Sequence, residues 1–140
     1  MPGRAQALAA RIAASAAPDT RVNAVDSNDP SGFDMVINAS PLGLKAADPL
    51  PCDVARMDPH AVLMDILIKN QPTPVVRAAR SRGLVAHPGF EMRIQQTALY
   101  LDFFGFADAA QQVRTDAGGI CGMVRDVIAQ SPPNFPATAL

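Results

Sequence analysis

At three places the chain carries polar or glycine-bearing residues directly from the end of a short apolar run. Asn38-Ala39-Ser40 and Gly43 follow Met35-Val36-Ile37; Asp65 leads to Thr73-Pro74 after Ala61 to Met64; and Pro88-Gly89 opens onto Met92 and Gln96 after Leu84 to Ala86. A short apolar run bounded by polar residues reads as a strand of a parallel sheet covered on both faces by helices. In an open α/β sheet, ligands sit in the crevice beyond the carboxyl ends of the strands. Three strand ends of this kind in one chain predict a nucleotide site. Histidine can act as acid or base near neutrality, but His60 follows Pro59 in a connection, and His87, although at a strand end, is assigned a structural role. Cys52 and Cys121 lie far apart, with no C-x-x-C or histidine-rich neighbour, so neither a disulfide framework nor a zinc site is indicated and both are expected to be buried or incidental thiols.

The elements that must position these residues follow from periodicity and stop signals. Ala5 to Ala16 is alanine-rich, with Leu8 and Ile12 four apart, and predicts a helix. Arg21 to Asp26 alternates apolar and polar side chains like a half-buried strand, ended by the loop Ser27 to Gly32. Pro41 and Gly43 stop the next strand, and a proline-rich connection leads to the run Ala61 to Ile68. Thr73 as cap with Pro74 at the first helical position starts a helix that Gly83 stops. A third strand, Leu84 to His87, precedes a helix on which Met92, Gln96, Leu99 and Phe103 share a face and which Gly105 ends. A last helix is expected from Thr115 as its cap to about Gln130, despite Gly118, Gly119 and Gly122, each of which costs about 1 kcal/mol against alanine. Ser131 to Leu140, with three prolines, is expected to fray. Strands alternating with helices give an α/β fold with a parallel sheet. The domain expectation is one truncated Rossmann-like unit over 1–130 and a flexible tail over 131–140.

Composition narrows the classes of function. At 140 residues and 49% hydrophobic side chains, the chain can carry one core. Twelve basic and 13 acidic residues are spread without blocks of like charge, which argues against nucleic acid or an anionic membrane surface as partner. No apolar run is long enough for a membrane span, and the start Met1-Pro2-Gly3-Arg4-Ala5 lacks signal-peptide order; a cytoplasmic protein is expected. The glycine-rich loop of a dinucleotide-binding fold, G-x-G-x-x-G after a first strand, is absent; Gly118-Gly119 with Gly122 lies near the chain end and suits helix packing instead. Opening on a helix where such a domain would open on a strand, the sequence looks like the later part of a larger protein.

Taken in order, the three segments resemble the shikimate dehydrogenases and their shikimate/quinate dehydrogenase-like relatives. That family's second domain carries D-x-V-I-N-A-T-x-x-G, D-x-x-Y-x-x-x-x-T-P and G-x-x-M-L-x-x-Q; here these read Asp34 to Gly43, Asp65 to Pro74 and Gly89 to Gln96. Arg4 to Leu8 is similar to the helix after the family's turn for the 2'-phosphate of NADP, with Arg4 its one remaining basic residue. The resemblance implies a partial Rossmann-like domain, lacking the first strand and glycine-rich loop, that binds NADP, with NAD left open because that turn is reduced to Arg4. It places Asn38, Ala39 and Ser40 at the cofactor ribose and diphosphate, with Gly43 permitting the turn, Ile66 and Gly89 beside the nicotinamide, and Met92 among the cofactor-binding residues. Gln96 would bond the hydroxyls of a cyclic hydroxy-acid substrate, and Ile68 stands where the family usually has a substrate-reaching tyrosine. Loss of that hydroxyl loosens the expectation of shikimate itself. Arg93 and Glu91 also depart from the pattern, and both are expected on the exposed first turn of their helix.

The implied activity is NADP-linked oxidation of shikimate, quinate or a related cyclic hydroxy acid. The family's proton-transfer pair, a lysine and an aspartate, belongs to a separate substrate domain. Lys45 and Lys69 lie in the wrong motifs to replace it, so no catalytic residue is assigned here. The alternative is a non-catalytic α/β module that binds a nucleotide or a partner chain. A sheet that lacks its first strand has an unsatisfied edge, which favours self-association as a homodimer.

Overall fold

The computed structural model describes residues 2–45, 47–115 and 118–130. Along them run α1 (Pro2–Ser15), β1 (Met35–Asn38), a short 3-10 helix (Val54–Arg56), β2 (Val62–Asp65), α2 (Pro74–Ser81), β3 (Val85–His87), α3 (Gly89–Phe103), α4 (Ala107–Thr115) and α5 (Gly119–Gln130). The three strands form one parallel sheet in the order β1-β2-β3. Its register sets Met35 beside Val62 and Asn38 beside Asp65, and Val62 beside Val85. The α/β expectation, a partial Rossmann-like parallel sheet with flanking helices, therefore holds.

The core fills the layer between one face of the sheet, α2 and the 3-10 helix. Leu63, Val75, Val76, Ala79, Met57 and Leu84 are all buried there. Successive strand residues point to opposite faces, so burial alternates along β2, with Leu63 and Asp65 inside and Val62 and Met64 half covered. Helix α2 starts with Pro74, whose missing N–H costs nothing at that position. It stops at Gly83, whose φ of +78° is left-handed and open to glycine without strain.

Several expectations are corrected. β1 is not covered on both faces: Met35 and Ile37 are each more than half exposed, because no described helix packs over that side of the strand. Arg21 to Asp26 forms no strand; Val22 and Ala24 are half-buried between exposed neighbours, and among the described residues the segment joins no sheet, so its alternation records burial rather than a hydrogen-bonded ladder. Thr115 does not cap the last helix. It ends α4, with its hydroxyl donating to the carbonyls of Gln111 and Gln112, and the last helix is α5 from Gly119. On α3 the covered residues are Gly89, Ile94 and Ala98, whereas Leu99 and Phe103 are exposed. Residues 131–140, expected to fray, lie outside the described residues.

Candidate functional site at the carboxyl ends of the strands

At the end of β1 the chain must reverse, and the side chain of Asn38 organises that turn. Its Oδ1 accepts from the backbone N–H of Ser40 at 3.1 Å and from the Ser40 hydroxyl at 2.6 Å. Its Nδ2 donates to the Leu42 carbonyl at 3.3 Å and to Asp65 Oδ1 at 3.1 Å. Ser40 Oγ in turn accepts from the Leu42 N–H, and Gly43, at φ +108°, closes the turn. Beyond it, the N–H groups of Lys45 and Gly43 donate to Asp48 and hold that carboxyl below its usual range.

Asp65 lies at the end of β2, in register with Asn38 and with no exposed surface. Burying a charge is costly unless it is hydrogen-bonded, and three neutral donors meet this one: Asn38 Nδ2, the Leu67 N–H at 3.1 Å and the Thr73 hydroxyl. One carboxylate thereby ties the end of β1, the turn after β2 and the start of α2. Thr73 has the extended backbone of an N-cap, but its hydroxyl goes to Asp65 and makes no capping bond.

The third strand end brings α3 against the turn after β2. A methyl group built on Gly89 would fall within 2.6 Å of the carbonyl carbons of Ile66 and Leu67 and closer still to the Leu67 oxygen. Only a residue without Cβ permits this approach. One turn along, Glu91 is not exposed as expected but half-buried. Arg125 on α5 grips it in a two-pronged ion pair at 2.7 and 2.8 Å, and that hydrogen bonding holds the Glu91 carboxyl below its usual range. Arg93 is exposed as expected.

No family model matches the chain. It is 41% identical over 64 residues to a shikimate dehydrogenase (NADP(+)) of Methylocella silvestris, a span covering 46% of this chain and 23% of that protein. The enzyme of the same name from Rubrobacter xylanophilus is 41% identical over 66 residues, again 46% of this chain and 23% of the relative. That of Maricaulis maris is 34% identical over 105 residues, which is 73% of this chain and 36% of the relative. In sequence the chain is shikimate dehydrogenase-like. It spans between about a quarter and about a third of the length of these three curated relatives.

Within this shikimate dehydrogenase-like chain the predicted residues fall into two groups. Asn38, Ala39 and Ser40 line a cavity of about 550 Å³ alongside β1, together with Val25, Phe33 and Ile37. Ile66 and Gly89 belong to the contact of α3 with the turn after β2, while Met92 and Gln96 are half-buried on α3, where Gln96 Oε1 accepts from the Tyr100 hydroxyl at 3.2 Å. Ile68 is partly exposed at that turn, and Gly43 packs on Leu67 and Thr73 between the two groups. Arg4 is exposed on α1, a helix with almost no packing against the rest of the fold, so nothing in the packing draws it toward either group.

Asp65 stands in the quoted motif without an expected role, and Thr73 with only that of a helix cap. Their signal was an acid closing an apolar run and a threonine before proline; their mutual burial was not readable. His60 pairs with Asp34 at 3.0 Å on the surface, and His87 is exposed. Both thiols are buried and unpaired, and burial pushes that of Cys52 up. Among the described residues no three His, Cys, Asp or Glu side chains are grouped to hold a metal ion, and no helix is long and apolar enough to cross a membrane.

Proposed function

We propose that the chain supplies the floor of a dinucleotide cleft in an NADP-linked oxidoreductase acting on shikimate, quinate or a related cyclic hydroxy acid. The observation that carries this reading is the meeting, at the carboxyl edge of one parallel sheet, of the Asn38 turn, the Asp65 turn and the Gly89 helix start. Relatives named as NADP(+) shikimate dehydrogenases support the choice of cofactor and substrate class.

In this reading the backbone of Ala39 and Ser40 binds ribose and diphosphate from a turn that Asn38 and Gly43 hold in shape. Ile66, Gly89 and Met92 border the nicotinamide, while Gln96 offers its amide and Ile68 its apolar side chain to the substrate. Arg4 would approach the cofactor 2'-phosphate. The bound cofactor supplies hydride transfer. The residues of this chain bind and orient, and none is assigned to proton transfer.

Titrating the full 140-residue chain into NADPH and following nicotinamide fluorescence tests the reading. Saturable binding that NADP displaces is expected, with no oxidation of shikimate or quinate. Absence of binding at millimolar chain would refute the cofactor site, and turnover would refute the assignment of no proton-transfer residue. The second reading, a non-catalytic binding module, is favoured by one feature: the cavity lies along the free edge of β1 and not over the α3 contact.

A further inference from the structure

Helix α3 begins on a residue that cannot hold it in place. Gly89 lies so close to the turn after β2 that a Cβ there would overlap the Leu67 carbonyl. That contact stops α3 moving inward, but a residue without a side chain does not stop the helix turning about its axis or lifting away. The usual tethers of a first turn are missing as well. The N-cap is Pro88, which makes no side-chain cap bond and has no N–H to receive the reach-back of an acid at the third helical position. Glu91 stands at that position, and its carboxylate serves a different element: Arg125 on α5 donates from Nε and Nη2 to its two oxygens at 2.7 and 2.8 Å. The Arg125 and Glu91 side chains are 38% and 22% exposed, so water and salt screen the pair only in part. Cys121, one turn before Arg125, is buried, so the face of α5 that bears this arginine is turned inward. Arg80 and His87 add positive field at Glu91, but the guanidinium of Arg80 gives its hydrogen bonds to the Ala86 carbonyl.

We propose that Arg125 is a positioning residue: by gripping Glu91 it fixes the rotation and depth of the first turn of α3, and with that turn the placement of Met92 and Gln96. The consequence for ligand binding rests on the cofactor and substrate reading proposed above. Met92 and Gln96 lie one turn apart on one face of α3, and Glu91 stands about 100° round the helix from Met92, so a rotation at Glu91 carries both with it. A side chain about 5 Å from the helix axis moves by about 1 Å when the helix turns by about 10°. Groups that bind a ligand must be held to within about 0.5 Å, so even this small rotation matters. The fork of a guanidinium on a carboxylate fixes direction as well as distance, which a single charge at the same place would not.

Two measurements on the full 140-residue chain test this, both well below its melting temperature so that loss of stability alone moves neither. Residual dipolar couplings of the N–H and Cα–Hα bonds from Met92 to Gln96, referenced to those of β2, report the pose of α3 without any ligand. Arg125→Gln should reorient these bonds by about 10° relative to the sheet. The same variant should weaken NADPH binding, followed by nicotinamide fluorescence, by about three- to fivefold, because a partly exposed pair can transmit no more than its own strength. Arg93→Gln, which removes the same charge from the exposed side of the same turn, should change neither. Couplings that Arg125→Gln leaves unaltered, or that Arg93→Gln shifts as much, would overturn the proposal, and so would NADPH binding by Arg125→Gln as tight as that of the unaltered chain. If the unaltered chain does not bind NADPH at all, the cofactor reading fails, and the couplings still decide whether Arg125 sets the pose of α3. Glu91→Gln keeps the shape of its side chain and gives the same two readouts if Arg125→Gln does not fold.

Discussion

Replacing Gly89 by alanine should damage the fold far beyond the single methyl added. The new Cβ would sit within 2.6 Å of two carbonyl carbons in the turn after β2, where ordinary carbon contacts need roughly 3.5–4.0 Å. The start of α3 must therefore move by about 1 Å, since backbone cannot rotate away as a side-chain tip can. Overpacking of well-packed sites costs about 1–3 kcal/mol, and a backbone neighbour puts this site at the upper end. The helix-propensity gain of alanine over glycine, at most about 1 kcal/mol and less at the first helical residue, offsets part of it. A net loss of about 2 kcal/mol lowers the melting temperature of a domain this size by roughly 5–10 °C. Thermal unfolding followed by far-ultraviolet circular dichroism measures it directly. Gly122→Ala on α5 is the internal control: its Cβ would meet nothing within 4 Å, so the same chemical change should raise stability by up to about 1 kcal/mol. If Gly89→Ala melts with the wild type, or the two substitutions shift the melt in the same direction, the close approach of α3 to the β2 turn does not govern stability as reasoned.

Two further outcomes follow from the polar contacts. Asp65→Ala strands three buried donors, on Asn38, Leu67 and Thr73, and should cost about 2–4 kcal/mol in urea unfolding. Asp65→Asn, which can still accept from Asn38 and Leu67 while donating to Thr73, should cost clearly less; equal losses would show that shape and not hydrogen bonding holds the three elements. Because Arg125 lowers the Glu91 pKa in the folded chain, this pair's contribution is complete above the unfolded carboxyl pKa, roughly 4.3, and is lost as pH falls through the lower folded value. Melting temperatures at pH 7 and pH 3 should therefore differ by less in Arg125→Ala than in the wild type, and an identical acid loss in both would refute the linkage.

What could be read from the sequence was whatever a short window contains. The apolar runs Met35 to Ile37 and Leu84 to His87 became strands because each is short and stopped by a turn residue, whereas of the run Ala61 to Ile68 only Val62–Asp65 is strand. Gly83 and Gly105 ended helices with positive φ as their type allowed. The misses arise where the answer depends on a distant partner. Arg21 to Asp26 has the alternation of a strand but joins no sheet among the described residues, and the α3 pattern of Met92, Leu99 and Phe103 is helical although its buried residues are Gly89, Ile94 and Ala98. Glu91 looked like an exposed first-turn acid because its arginine stands 34 residues away.

Thr73 separates the two kinds of information. Its position before Pro74 correctly implied the extended backbone of a cap, because proline restricts the residue before it. The use of its hydroxyl depended on a charge eight residues earlier that folding buries completely. A hydroxyl at a helix start can leave a capping bond unmade at a cost of about 1 kcal/mol, whereas a buried carboxylate denied a donor loses more. The side-chain orientation that brings the hydroxyl to Asp65 therefore prevails over the one that would accept from the helix N–H groups, and the residue that looked like a helix cap instead completes the network joining β1, β2 and α2.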